Sequence, residues 1–213
     1  MSRLIAFGDS FTWGTDLADA KPASTPSQNT WPALLARHLG LEYICNAVEG
    51  ASNKTIVREF FNYYSNLKDD DTVIINWTWI DRWDYYDGDR WHILRPSENS
   101  SSFHKIYYKY FQSELWDKFE SLKDIALVHN LLEKLNIKYY ATCVDRLVID
   151  KTFHNPVYIN SLIDESCNTL LWFDNKGFYQ WAKDNNFKIS ETWHPLEEAH
   201  RAAFNYIKHE ITL

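Results

Sequence analysis

Four short apolar runs, separated by segments with helical periodicity, constrain this chain more than any other feature. They are Leu4–Phe7, Tyr43–Cys45, Val73–Ile75 and Tyr139–Cys143. Brief apolar stretches without polar alternation mark strands buried on both faces of a sheet. Between and after them the spacing changes to that of helices. A helix is expected from Trp31 to Leu39, stopped by Gly40. Asn53 is the expected N-cap of a second, with Ile56, Val57, Phe60, Phe61 and Tyr64 on one face and Asp69-Asp70-Asp71 ending the pattern. A third is expected over Leu122–Leu135, a short one over Phe178–Asp184, and an amphipathic terminal one with Leu196, Ala199, Ala203, Phe204 and Ile207 facing inward. Strands alternating with helices imply an α/β fold with a parallel sheet covered on both sides.

With 213 residues and no internal repeat or low-complexity linker, the chain is read as a single domain, 1–213. Residues 14–30, rich in Thr, Asp, Pro, Ser and Asn, read as a loop. Residues 77–118, crowded with Trp and Tyr, read as an insertion after the third strand. The formal charge of −7 argues against the basic face that a nucleic-acid partner requires. No apolar run approaches the roughly 20 residues that span a bilayer, and Leu4–Phe7 is too short for the core of a signal peptide. A cytoplasmic location without membrane insertion is therefore expected. Cys45, Cys143 and Cys167 are far apart and show no Cys-x-x-Cys spacing, which suits a reducing compartment and offers no metal site.

Reactive groups of an open parallel sheet gather at the carboxyl ends of its strands. Ser10 follows the first strand, with Gly8 allowing a tight exit. A serine hydroxyl needs a base to become a nucleophile, and the best candidate lies in Glu191-Thr192-Trp193-His194-Pro195. His194 precedes a proline, which biases it toward an extended loop, and Pro195 is suited to open the last helix, where Glu197 and Glu198 favour the N-terminal end. Glu191 is the candidate to orient the imidazole through Nδ1. His194 and His200, six apart, do not form a recognised zinc spacing. Taken singly, Gly-Asp-Ser is a common turn tripeptide and Glu191 an ordinary surface charge; their order along the chain gives them weight.

Gly8-Asp9-Ser10-Phe11-Thr12-Trp13-Gly14, directly after a strand, resembles the nucleophile block of the GDSL, or SGNH, hydrolases. Glu191-Thr-Trp-His194-Pro195 is similar to that family's Asp-x-x-His-Pro block with Glu for Asp, and Asn46-Ala-Val-Glu-Gly50-Ala-Ser-Asn53 resembles its second block. The resemblance implies a three-layer αβα sandwich of flavodoxin-like topology and hydrolysis of carboxylic esters, acyl or acetyl, through an acyl-enzyme, with no cofactor or metal. It also implies that the backbone N–H groups of Ser10 and Gly50 hold the oxyanion. One block departs from the pattern. Where the family carries Gly-x-Asn-Asp, this chain has Trp77-Thr78-Trp79-Ile80-Asp81-Arg82, so Trp79 stands in place of the asparagine donor. The hydroxyl of Thr78 or the amide of Asn53 is the candidate replacement. Asn53, Trp79 and Arg82 are candidate substrate contacts, and the aromatic insertion suits packing or a wall for a sugar ring or acyl chain, which tilts the reading toward a carbohydrate-linked ester.

The altered block leaves a second expectation, a catalytically weak binding or structural protein on the same fold. The distance from Ser10 Oγ to the His194 ring separates the two. The chain also resembles GDSL-like proteins encoded by bacteriophages, which would place it in a virion or host cytoplasm.

Overall fold

Alternating side chains decide the layering. In β1 (Arg3–Phe7), Leu4 and Ala6 face one side of the sheet and Ile5 and Phe7 the other, and the four are fully buried. The computed structural model describes residues 2–96, 101–151, 155–167, 170 and 173–211. In these residues β1 pairs in parallel with β2 (Glu42–Cys45) and with β3 (Thr72–Trp77), and β3 pairs in parallel with β6 (Lys138–Cys143), giving the order β2-β1-β3-β6. An isolated parallel bridge joins Ala141 to Leu170 beyond β6.

One face of the sheet, through Ile5, Phe7, Val73 and Ile75, packs on α3 (Asn53–Tyr63), α5 (Glu114–Lys134) and α6 (Val157–Cys167). Leu4, Ala6 and Ile74 on the other face pack on α2 (Trp31–Leu39), α7 (Phe178–Asp184) and α8 (Glu197–Ile207). This is the expected three-layer αβα arrangement, with a four-residue helix, α1 (Ser10–Trp13), following β1.

Several boundaries differ from expectation. The N-cap of α3 is Ser52, whose hydroxyl accepts from Thr55 N–H at 3.1 Å, and Asn53 is the first helical residue. Leu196 caps α8, so Pro195 precedes the helix without opening it. The helix expected from Leu122 begins at Glu114. Its first turns bury Asp117, Lys118, Glu120 and Ser121, so they carry no apolar stripe. The segment read as an insertion, which shares Trp77 with β3 and its last residues with α5, holds an antiparallel hairpin, β4 (Trp83–Tyr86) with β5 (Trp91–Leu94), and α4 (Ser102–Tyr110). Residues 97–100 within it lie outside the described residues. Cys45 is half-buried and Cys143 buried, and the side chain of Cys167 lies outside the described residues.

Candidate active site

The first strand delivers its reactive residue through a close approach of backbone to side chain. A Cβ at Gly8 would lie 2.2 Å from Thr12 Oγ1, so only glycine lets β1 turn this sharply into α1. Asp9 is the N-cap: its Oδ1 accepts from Phe11 N–H at 3.0 Å. Its Oδ2 accepts from the Thr78 hydroxyl at 2.6 Å and from Arg82 Nη1 at 3.2 Å. The carboxylate is fully buried and thereby ties the nucleophile turn to the end of β3.

Ser10 Oγ lies 2.9 Å from His194 Nε2. The histidine comes from a tight turn closed by an Ile189–Pro195 bridge and by Ser190 N–H to His194 O at 2.8 Å. Trp193 takes φ 71° within it. That turn carries Glu191 outward, where it is exposed and reaches neither ring nitrogen. The expectation that Glu191 orients the imidazole is corrected by this geometry. Asp16 does so instead, its Oδ2 lying 2.8 Å from His194 Nδ1. Thr192 Oγ1 is 3.0 Å from the same nitrogen and also donates to Asp16, as does Ser190 Oγ at 2.6 Å.

With Nδ1–H donated to a carboxylate, Nε2 is left as the acceptor facing the serine hydroxyl. Burial pushes the Asp16 carboxyl up, but hydrogen bonds from Ser190, Thr192 and His194 outweigh it and hold the group below its ordinary 3.8. The Asp16 loop is itself anchored: Glu49 accepts from Thr15 Oγ1 at 2.7 Å and Ala23 N–H at 2.9 Å, and Glu197 accepts from Ala18 N–H at 2.8 Å. Asp16 gave no signal as a sequence motif, because a polar turn holding an aspartate is ordinary. Only its six-residue distance from Ser10 could have drawn attention to it.

The remaining expected residues divide. Gly50 has φ 73° at the end of the loop after β2, and Val48 N–H bonds Gly8 O at 3.0 Å, so the second block lies beside the nucleophile turn. Neither proposed replacement donor is available to a substrate. The Thr78 hydroxyl donates to Asp9, and the Asn53 amide is spent on Thr78 O at 3.3 Å and Ser121 Oγ at 3.0 Å while its carbonyl accepts from Thr78 N–H at 2.9 Å. Asn53 and Thr78 thus support the site from below. Trp79 packs on Tyr179 with centroids 5.5 Å apart, and Tyr179 in turn lies against Phe11. Trp79 also lines two cavities, one of about 510 Å³ with Tyr179, Gln180 and Lys183, and one of about 190 Å³ with Asp81, Arg82, Arg95 and Pro96. His200 is fully buried and its Nδ1 accepts from Trp31 N–H at 3.2 Å, a structural role. Among the described residues no group of three or more His, Cys, Asp or Glu is placed to hold a metal ion, and no helix is long and apolar enough to cross a membrane.

The profile of the GDSL-like lipase/acylhydrolases matches residues 4–207. Among solved structures, a lipolytic protein of the G-D-S-L family from Veillonella parvula aligns over 98% of this chain and 97% of its own, at 11% identity and a TM-score of 0.52. The psychrotrophic esterase EstA from Pseudoalteromonas sp. aligns over 98% and 96%, at 10% identity and 0.53. A lipase from a goat rumen metagenome, Lip_vut3, aligns over 98% and 97%, at 12% identity and 0.54. At these identities the structures share the fold. No curated protein sequence matches the chain. The profile match, spanning nearly all of the sequence, shows that the chain belongs to the GDSL-like lipase/acylhydrolase family, whose members are serine hydrolases acting on ester bonds.

Proposed function

We propose that this protein hydrolyses carboxylic esters through an acyl-enzyme on Ser10, with His194 as general base and Asp16 as its orienting acid. The observation that carries the reading is the relay itself, Ser10 Oγ to His194 Nε2 at 2.9 Å and His194 Nδ1 to Asp16 Oδ2 at 2.8 Å. As Ser10 Oγ attacks the ester carbonyl carbon, its proton passes to Nε2, and the negative charge that develops on the carbonyl oxygen is met by the backbone N–H groups of Ser10 and Gly50. Collapse of the tetrahedral species breaks the bond to the alkoxy oxygen, which leaves as the alcohol with the proton from Nε2. Water then gives a proton to Nε2 and attacks the acyl carbon, and Ser10 regains its hydrogen as the acid departs. Asp16 remains ionised throughout and stabilises the imidazolium.

A separation of many ångströms between Ser10 and His194 would favour the competing reading, a binding protein on this fold, and the hydrogen bond between them favours the enzyme. For the alcohol portion we infer a carbohydrate, supported by the exposed rings of Tyr86, Trp91, Tyr110 and Trp116 on the insertion. Turnover of short p-nitrophenyl esters by wild type and Ser10→Ala tests the chemistry. Wild-type hydrolysis with loss of about three orders of magnitude or more in the variant is expected; equal rates would exclude Ser10 as nucleophile.

A further inference from the structure

Attack by Ser10 creates an oxyanion, and the loss of one donor from such a site typically costs ~10²–10³ in rate. Trp79 stands where this family carries its asparagine donor, and Thr78 and Asn53 are committed elsewhere. Two guanidinium groups nevertheless converge on the nucleophile turn and the Gly50 loop. Arg82 is fixed through Nη1, which donates to Asp9 Oδ2, to Ala51 O at 2.8 Å and to Thr78 Oγ1 at 3.0 Å. Arg95 lies directly across Gly50: a Cβ built there would meet its Nη1 at 2.2 Å and its Cζ at 2.9 Å. Gly50 is thus glycine for two reasons, its left-handed φ and the guanidinium occupying the space of a side chain.

The position of Arg95 is set by the insertion. Leu94, at the end of β5, is buried, and the Arg95 carbonyl accepts from His104 Nε2 at 2.6 Å, with His104 buried on α4. From this anchored backbone the side chain reaches back over the loop after β2. Arg82 and Arg95 line the same 190 Å³ cavity with Trp79, Asp81 and Pro96. Burial lowers the Arg82 pKa, and the nearby positive charge of Arg95 lowers it further, against the opposing pull of Asp9 and Asp81.

We propose that Arg95, laid across Gly50, is the third donor to the oxyanion, a guanidinium from the insertion standing in for the missing asparagine. Arginine presents five donors in a rigid fork, so one N–H can address the carbonyl oxygen while the others keep the group in place. The proposal rests on Ser10 as nucleophile, and it gives the aromatic insertion a second task, that of carrying a catalytic residue.

The test uses the full chain as wild type, Arg95→Met and Arg95→Lys, each checked for folding by circular dichroism. Their kcat and KM are measured on p-nitrophenyl acetate and on p-nitrophenyl hemisuccinate, whose acyl chain bears a carboxylate. The rate at which a serine-directed phosphonate labels Ser10 is measured in parallel. Arg95→Met is expected to lower kcat by ~100-fold on both esters with little change in KM, and to slow labelling similarly. Arg95→Lys should recover part of the loss, since it keeps the charge without the fork. If the methionine variant does not fold, an equal fall in kcat on both esters in Arg95→Lys carries the same meaning. Unchanged kcat in a folded variant overturns the proposal while leaving Ser10 in place. A loss confined to the hemisuccinate overturns it in favour of a subsite for an anionic substrate group. Wild type that neither turns over ester nor labels Ser10 overturns this proposal together with the reading beneath it.

Discussion

Asp16 sits at φ 71°, a conformation that aspartate tolerates better than most residues because its short side chain bonds locally. Here it accepts from Ser190, Thr192 and His194, so the left-handed backbone is held by the same contacts that fix the imidazole. Asp16→Asn preserves the shape and removes the charge, and an amide can present the wrong partner to Nδ1. By analogy with the orienting acid of other serine hydrolases, kcat on p-nitrophenyl acetate should fall by ~10²–10⁴, whereas Glu191→Gln should leave it within about twofold. A comparable loss in the Glu191 variant would restore the acid to the histidine turn. The folded-state pKa of Asp16 lies below its ordinary value, so its contribution to stability is complete above pH 3.8 and is lost as pH falls through the depressed value. Ser10 and His194 were legible because each stands in a local pattern, a glycine exit from a strand and a histidine before proline. Asp16 was not, because what qualifies it is a partner 178 residues away.

At the level of elements, α2 and α8 are joined by a bond that periodicity does not reveal. Trp31 is the first residue of α2, and its N–H has no acceptor within the helix; His200 Nδ1 of α8 provides one. His200→Leu fills similar volume but leaves this N–H unsatisfied, a cost of about 1–3 kcal/mol that should appear as a lowered Tm. Burial pushes His200 down to about 3, against an ordinary 6.5. Its contribution to stability is therefore full above pH 6.5 and declines as pH falls toward 3, where the unfolded chain binds the proton first. The Tm of wild type should drop more steeply than that of the variant over this range; parallel curves would show that His200 is not held neutral in the fold. The strands and α2 were readable from short apolar runs and from Gly40. The helix α6 went unread although Ile159, Leu162, Ile163 and Ser166 have helical spacing after Pro156, since its first residues, Val157 and Tyr158, are apolar yet exposed. The start of α5 was hidden for the opposite reason, polar residues that are buried.

For the molecule as a whole, charged and polar groups fasten the segment after β3 to α3. Asp84 on β4 accepts from Ser52 Oγ at 2.5 Å, Thr55 Oγ1 at 2.6 Å and Arg58 Nη1 at 2.9 Å, and so fastens the hairpin to α3. Nearby, Lys54 bridges to Glu120 at 2.6 Å and lies 3.8 Å from Asp124. Burial pushes the Asp124 carboxyl up to about 6, beyond what Lys54 and Lys123 offset. A group whose folded value is raised favours the fold below its unfolded value and loses that advantage as pH rises through 6. Asp124→Asn should therefore match wild type near pH 4 and exceed it above pH 6, by up to about 2–3 kcal/mol in urea unfolding. An equal or lower stability above pH 6 would show that the carboxylate is fully compensated. Such polar docking leaves no apolar pattern, and for that reason 77–118 was the least legible part of the chain.

The proposed nucleophile and its acid lie six residues apart, while the proposed base arrives from position 194 on the turn before α8. During synthesis Ser10 and Asp16 emerge close together, but the serine lacks its proposed base until position 194 has left the ribosome and its turn has closed on the end of β1. On the proposed mechanism, ester turnover therefore becomes a direct report that the turn before α8 has docked.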